Sequence, residues 1–175
     1  MTRPYRFTAL LATVALSVGA TTAFAHDGGG HHGRGHDGDN DRHGRTVLKS
    51  DLFGSQPTGP TLFGVKPGGA PWVIGDSSAK VRRDGRVKVR VEGLVIPTPP
   101  QNGTNPLSNI AATVYCGGTA VGTTAAAPFS PAGDARIDAT LATPLPSPCL
   151  VPAVLLNPAP GGVINTGTYI AATGA

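Results

Sequence analysis

The residues with the strongest chemical character lie in one short stretch. His26, His31, His32, His36 and His43 are all the histidines of the chain, and Asp27, Asp37, Asp39 and Asp41 are interspersed with them. Neutral imidazoles with carboxylates form a donor set suited to Zn, Ni or Cu. His31, His32, His36 and Asp37 are spaced to close around one ion, with His26 and His43 as further donors. The alternative is a solvated linker that the same residues merely keep open. Residues 26–45 hold five His, seven Gly, four Asp, three Arg and one Asn, with no apolar side chain. Nothing there offsets the entropy of ordering the backbone, so a disordered tail is expected. Asp37, Asp39 and Asp41 alternate as calcium-loop ligands do, but Arg42 stands where glycine is required and Leu48 where the bidentate glutamate belongs.

Beyond this stretch the catalytic repertoire is poor. Residues 46–175 contain no histidine, which removes the base of the common serine and cysteine triads. Ser77 and Lys80 have the Ser-x-x-Lys spacing, yet positions three apart share a face on a helix and point oppositely on a strand. Asp134 and Asp138 are about 13 Å apart along one strand, too far for a glycosidase pair. A non-enzymatic body is therefore expected. Its most distinctive chemistry is charge: Lys80, Arg82, Lys88 and Arg90 share one parity while Val81, Val87, Val89 and Val91 share the other. Like charges side by side are unfavourable unless something negative is near. Two readings follow, a solvated edge that blocks strand-to-strand aggregation and a small site for an anionic polymer such as cell-wall or extracellular matrix polysaccharide.

The start of the chain says where this chemistry would operate. Arg3 and Arg6 precede an apolar run from Phe7 to Ala20, and Ala23-Phe24-Ala25 supplies small residues at a peptidase site. Residues 1–25 thus read as a signal peptide, too short for a membrane span, and the mature chain is expected to start at His26 and to be secreted to the extracellular space. Losing Arg3 and Arg6 takes two of the 14 basic residues, leaving 12 against 10 acidic ones, a net charge of +2. That balance argues against nucleic acid as a partner, and no membrane contact is expected after cleavage. A mature N-terminal histidine is similar to the first residue of secreted β-sandwich copper oxidases that attack polysaccharides. Those enzymes add a second histidine from the sandwich, which residues 46–175 lack, so a copper site would rest on His26 alone. No other cofactor is implied.

The elements that must position the charges begin at Thr46, where apolar residues appear and Gly, Pro, Ser and Thr punctuate short runs. Proline recurs too often for long helices, and several windows alternate. The valine-rich segment predicts a hairpin with a three-residue loop, Arg83 to Gly85, and Gly85 in the left-handed conformation. Ile110, Ala112, Val114 and Cys116 alternate with Ala111, Thr113 and Tyr115, and Gly117-Gly118 turns toward Thr119–Thr124. Ala135, Ile137, Ala139 and Leu141 form another alternating set, and residues 151–156 and 168–173 supply later strands. Leu52-Phe53-Gly54 and Leu62-Phe63-Gly64 recur ten residues apart ahead of Trp72. Phe53, Phe63 and Trp72 read mainly as core or edge packing, with an exposed aromatic ligand platform as the alternative. Cys116 and Cys149, an even count in an exported chain, point to a disulfide, against the alternative of two buried thiols.

The Cys116 strand, the Gly133-Asp134-Ala135 segment before an alternating run, and Pro148-Cys149 before an apolar strand resemble exported single-disulfide β-sandwich proteins of high-GC bacteria. The resemblance covers residues 70–175 and implies a fold but no activity. The expected organisation is a signal peptide (1–25), a disordered tail (26–45) and an all-β, antiparallel, Ig-like sandwich (46–175). Its expected role is a secreted binding or structural module, with transition-metal capture by the tail as the second reading.

Overall fold

In the computed structural model residues 45–174 are described, and there the two-residue alternation of apolar and polar side chains condenses into strands. The signal segment and the histidines and aspartates assigned above as metal donors lie outside the described residues. In chain order the strands are β1 (Thr46–Ser50), β2 (Leu52–Gly54), β3 (Lys66–Pro67), β4 (Asp76–Arg82), β5 (Arg86–Glu92), β6 (Asn109–Cys116), β7 (Thr119–Thr123), β8 (Ala127–Pro128), β9 (Ala135–Thr140), β10 (Ala153–Pro158), β11 (Thr168–Tyr169) and β12 (Ala171–Thr173). They build two antiparallel sheets, a first with strand order β1-β4-β5-β9 and a second with order β2-β12-β10-β6-β7, where β8 also pairs with β6. A small parallel pair, β3 with β11, stands apart. The all-β, antiparallel sandwich expected from the sequence is the architecture found.

The core lies between the sheets. Val81, Val87, Val89, Val91 and Ile137 of the first sheet meet Leu52, Ile110, Ala112, Val114, Val154 and Leu156 of the second in one buried cluster. The hairpin from β4 to β5 has the register foreseen, with Val81 opposite Val87, and Gly85 takes φ +87° as its amide donates to the Arg82 carbonyl at 3.0 Å. Side chains with a Cβ rarely adopt that φ, so glycine closes the loop at no steric cost.

The chain enters as an edge strand of both sheets: β1 pairs with β4, Asp51 breaks the strand, and β2 pairs with β12. Ser77 secures the crossing, since its Oγ accepts from the Leu52 amide at 2.9 Å and donates to the Leu52 carbonyl at 3.2 Å. Ser77 is thus held in a strand, which is why its spacing to Lys80 makes no shared face. Gly54 lets β2 pass against the backbone at Trp72, where a Cβ would stand 2.2 Å from the Trp72 carbonyl oxygen.

Two strand boundaries and the burial of one strand face differ from the sequence reading. The strand expected at 151–156 is β10, which starts at Ala153 and runs to Pro158 because Val151 has φ +44°. The strand expected at 168–173 breaks at Ile170, where the chain bends from its pairing with β3 to its pairing with β10. The face of β6 carrying Ala111, Thr113 and Tyr115 is buried as fully as the inner one, under a second cluster of Val65, Tyr115, Leu155, Tyr169 and Ala172. Buried Asn157 satisfies the polar member of that face: its Oδ1 accepts from Thr113 Oγ1 at 2.7 Å and its Nδ2 donates to the Thr168 carbonyl at 2.7 Å.

Cys116 and Cys149 form the expected disulfide, with Cα atoms 5.0 Å apart across a sequence separation of 33. It ties the irregular 141–152 segment to the end of β6, where the Gly117 amide also donates to the Leu150 carbonyl at 2.6 Å. A loop of this length restricts the unfolded chain by about 3–4 kcal/mol on the chain-entropy model. Replacing both cysteines with alanine is expected to lower the unfolding free energy by about that amount in a urea titration. Gly54→Ala, which forces the Trp72 carbonyl aside, is expected to lose about 2–3 kcal/mol by the same measurement.

Candidate functional site

The outer face of the first sheet carries the charge. Its register sets Lys49 beside Lys80, Lys80 beside Lys88 and Lys88 beside Asp138, so one row crosses all four strands. The adjacent row runs Ser78, Arg90, Arg136. Neighbouring strands are about 4.8 Å apart, which fixes the repeat along each row. A shallow depression of about 380 Å³ lies over the rows, lined by Lys49, Lys80, Lys88, Arg90, Arg136 and Asp138 among others. Five cations against one carboxylate leave it a formal charge of +4.

The four residues foreseen from the hairpin, Lys80, Arg82, Lys88 and Arg90, are thus on one face, and strand pairing adds Lys49 and Arg136. Alternation within one hairpin cannot reveal those two, because they arrive from β1 and β9. The chain also answers part of the charge itself, contrary to the expectation that only solvent or a partner would. Arg86 Nε and Nη2 each donate to Asp138 at 3.1 Å, and Lys88 Nζ lies 3.3 Å from Asp138 Oδ2. Arg90 pairs with Glu92, and Arg82 Nε lies 3.9 Å from Asp84 Oδ2. Lys49, Lys80 and Arg136 have no carboxylate within 4.0 Å among the described residues.

The hydrogen bonds from Arg86, and then from Lys88, hold the Asp138 carboxyl below the usual aspartate range, and the same pairing raises Arg86. Both groups are exposed, so the contribution to folding is small.

The outer face of the second sheet is chemically opposite. The 55–65 excursion folds over β10 and β12 and leaves a cavity of about 400 Å³, flanked by Phe53, Phe63, Val151 and Pro152 with Leu155 and Ala172 among its other walls. Phe53 and Phe63 are 63% and 39% exposed, so they are not core residues; only Trp72, at 4%, enters the core, where it stacks with Phe129. The reason is alternation: Leu52 takes the inward position of β2, and Phe53 must point out. Phe63 and Gly64 form the tip of a two-residue turn between Leu62 and Val65, with φ +52° and +82° and two backbone hydrogen bonds of 2.9 and 2.8 Å across it. Two successive positive φ angles are those of a type I′ turn, which favours Asn-Gly. Phenylalanine there, like Val151 at φ +44°, occupies a conformation that costs on the order of 1–3 kcal/mol and tends to mark functional sites. Val151 and its neighbour Leu150 are 75% and 62% exposed. The sequence signal that was open to reading is the phenylalanine of Phe63-Gly64, where a turn residue belongs.

Among the described residues no group of three or more His, Cys, Asp or Glu could hold a metal ion, and no helix is long and apolar enough to cross a membrane. Compared with known proteins, the chain matches no family model, no curated protein and no solved structure.

The depressed Asp138 value has a sign. Its ion pairing is fully present above the unfolded value near 4 and is lost as pH falls through the lower folded value. A carboxyl NMR titration is expected to place the Asp138 midpoint below the model-peptide value, and Arg86→Ala is expected to move it back up.

Proposed function

We infer that the protein is a secreted, non-enzymatic binding module that holds an anionic extracellular polymer, such as an acidic cell-wall or matrix polysaccharide, on the outer face of its first sheet. The observation that carries this reading is the pair of adjacent rows in which Lys49, Lys80 and Arg136 stand without carboxylate partners among the described residues. A flat, exposed, regularly spaced array of cations suits a repeating polyanion better than a compact ligand, which needs a concave site with converging groups. Secretion is supported by the disulfide and by the signal-like first 25 residues. The absence of histidine from residues 46–175 supports a binding role over acid–base catalysis.

Exposed ion pairs contribute about 0.5–1 kcal/mol each. Reversing the three unpaired cations together, Lys49→Glu, Lys80→Glu and Arg136→Glu, is therefore expected to weaken binding to heparin or polygalacturonate about 10- to 100-fold. Asp138→Asn removes the one carboxylate lining the depression and is expected to raise the salt concentration needed for elution from the same polymer. Binding by the triple variant equal to that of the parent protein would remove the basis of this reading.

A further inference from the structure

The cavity on the second sheet has the size and chemistry of a separate site. Its volume of about 400 Å³ falls at the lower end of the roughly 300–1,000 Å³ of small-ligand pockets. None of its lining residues is charged, and three of its four polar side chains are already engaged; the fourth, Ser55, is buried with its Oγ atom shielded from solvent and without a partner. Gln56 Nε2 donates to the Trp72 carbonyl at 3.1 Å, Tyr169 Oη donates to the Pro60 carbonyl at 2.6 Å, and Thr173 Oγ1 accepts from the Val154 amide at 3.0 Å. A sugar ring or an ionised ligand buried here would leave its own polar groups without partners, whereas a hydrocarbon-like ligand has none to lose.

Size decides against a protein partner. A stable protein interface uses about 20–30 residues a side, and the exposed large apolar side chains lining this cavity are Phe53, Phe63 and Val151. The backbone supplies an independent argument. Phe63 and Val151, from segments nearly ninety residues apart, both keep bulky side chains at positive φ, where asparagine or glycine would fold with less strain, and both line this one cavity. Among the described residues the remaining positive-φ residue that is not glycine is Asn102, a type that tolerates the conformation.

We propose that this cavity binds a neutral, predominantly apolar small molecule, the size of a compact aromatic ring system or short alkyl chain, held between Phe53, Phe63 and Val151. The site is on the sheet opposite the cationic face and does not depend on polyanion binding.

The test is fluorescence titration of the full mature protein with N-phenyl-1-naphthylamine, a neutral apolar dye. The expected result is a saturable increase at one dye per chain, unchanged by added salt. Val151→Asn relaxes the backbone and removes a wall, so dye affinity is expected to fall at least about 10-fold while the urea midpoint stays level or rises. Phe53→Ser alters an exposed side chain and is expected to weaken the dye similarly with the midpoint unchanged. The proposal is overturned if the parent protein gives no saturable signal, or if both variants bind the dye as the parent does. It is also overturned if Val151→Asn lowers the midpoint, which would make Val151 a packing residue. One dye per two chains, with sedimentation showing a dimer, would identify the cavity as a self-association face and likewise overturn it.

Discussion

Everything in the sandwich is arranged around the fact that β6 is buried on both faces. From Ile110 to Cys116 every side chain is buried, because one parity faces the inter-sheet core and the other lies beneath a second apolar layer. A strand placed so must have every backbone group paired and every polar side chain answered. β7, β8 and β10 supply the pairing, and Asn157 and Thr123 supply the partners for Thr113. The outer layer is the less ordinary requirement. A two-sheet sandwich commonly leaves its outer faces to water, so covering this one takes dedicated chain, the 55–68 excursion and the segment leading into β11. The apolar cavity sits where that cover stops, between the stack of Phe63 on Tyr115 and the start of β10.

How much of this could be read from the residues depends on how local each cause is. The β4–β5 hairpin was legible in full, down to the left-handed Gly85, because alternation and turn chemistry both lie within about fifteen residues of chain. The disulfide followed from the even count of cysteines and the expectation of export. The double burial of β6 was not legible: Ala111, Thr113 and Tyr115 look like a solvent-facing parity, and only the placement of a distant loop makes them interior. The Leu-Phe-Gly repeat shows the same limit. One copy is an edge strand and the other a turn, and the tripeptide is identical in both, so the difference lies in what each meets: β12 in the first case, Tyr115 in the second. For the cationic face the sequence supplied one hairpin, and the neighbours that widen it, Lys49 and Arg136, come from strands whose pairing is a tertiary outcome.

The two outer faces have separated in character. One sheet presents ordered rows of lysine and arginine, partly neutralised by carboxylates from its own strands, and the other presents aromatic and aliphatic groups with no charge. Because the sheets share one core, these faces cannot trade residues without disturbing the alternation that fills it. Each face is therefore free to be tuned by its outward parity alone, through substitutions that leave the inward valines, leucines and isoleucines untouched.

A single stretch of nine residues, β1 with β2, closes an edge on both sheets. Protease nicking at Asp51, the exposed joint between them, would loosen both covers together and bare the hydrogen-bonding rims of β4 and β12. Each sheet would keep two edges, as before, so what changes is which strands face solvent: the valine-bearing β4 and the alanine-rich β12 would take the places of β1 and β2.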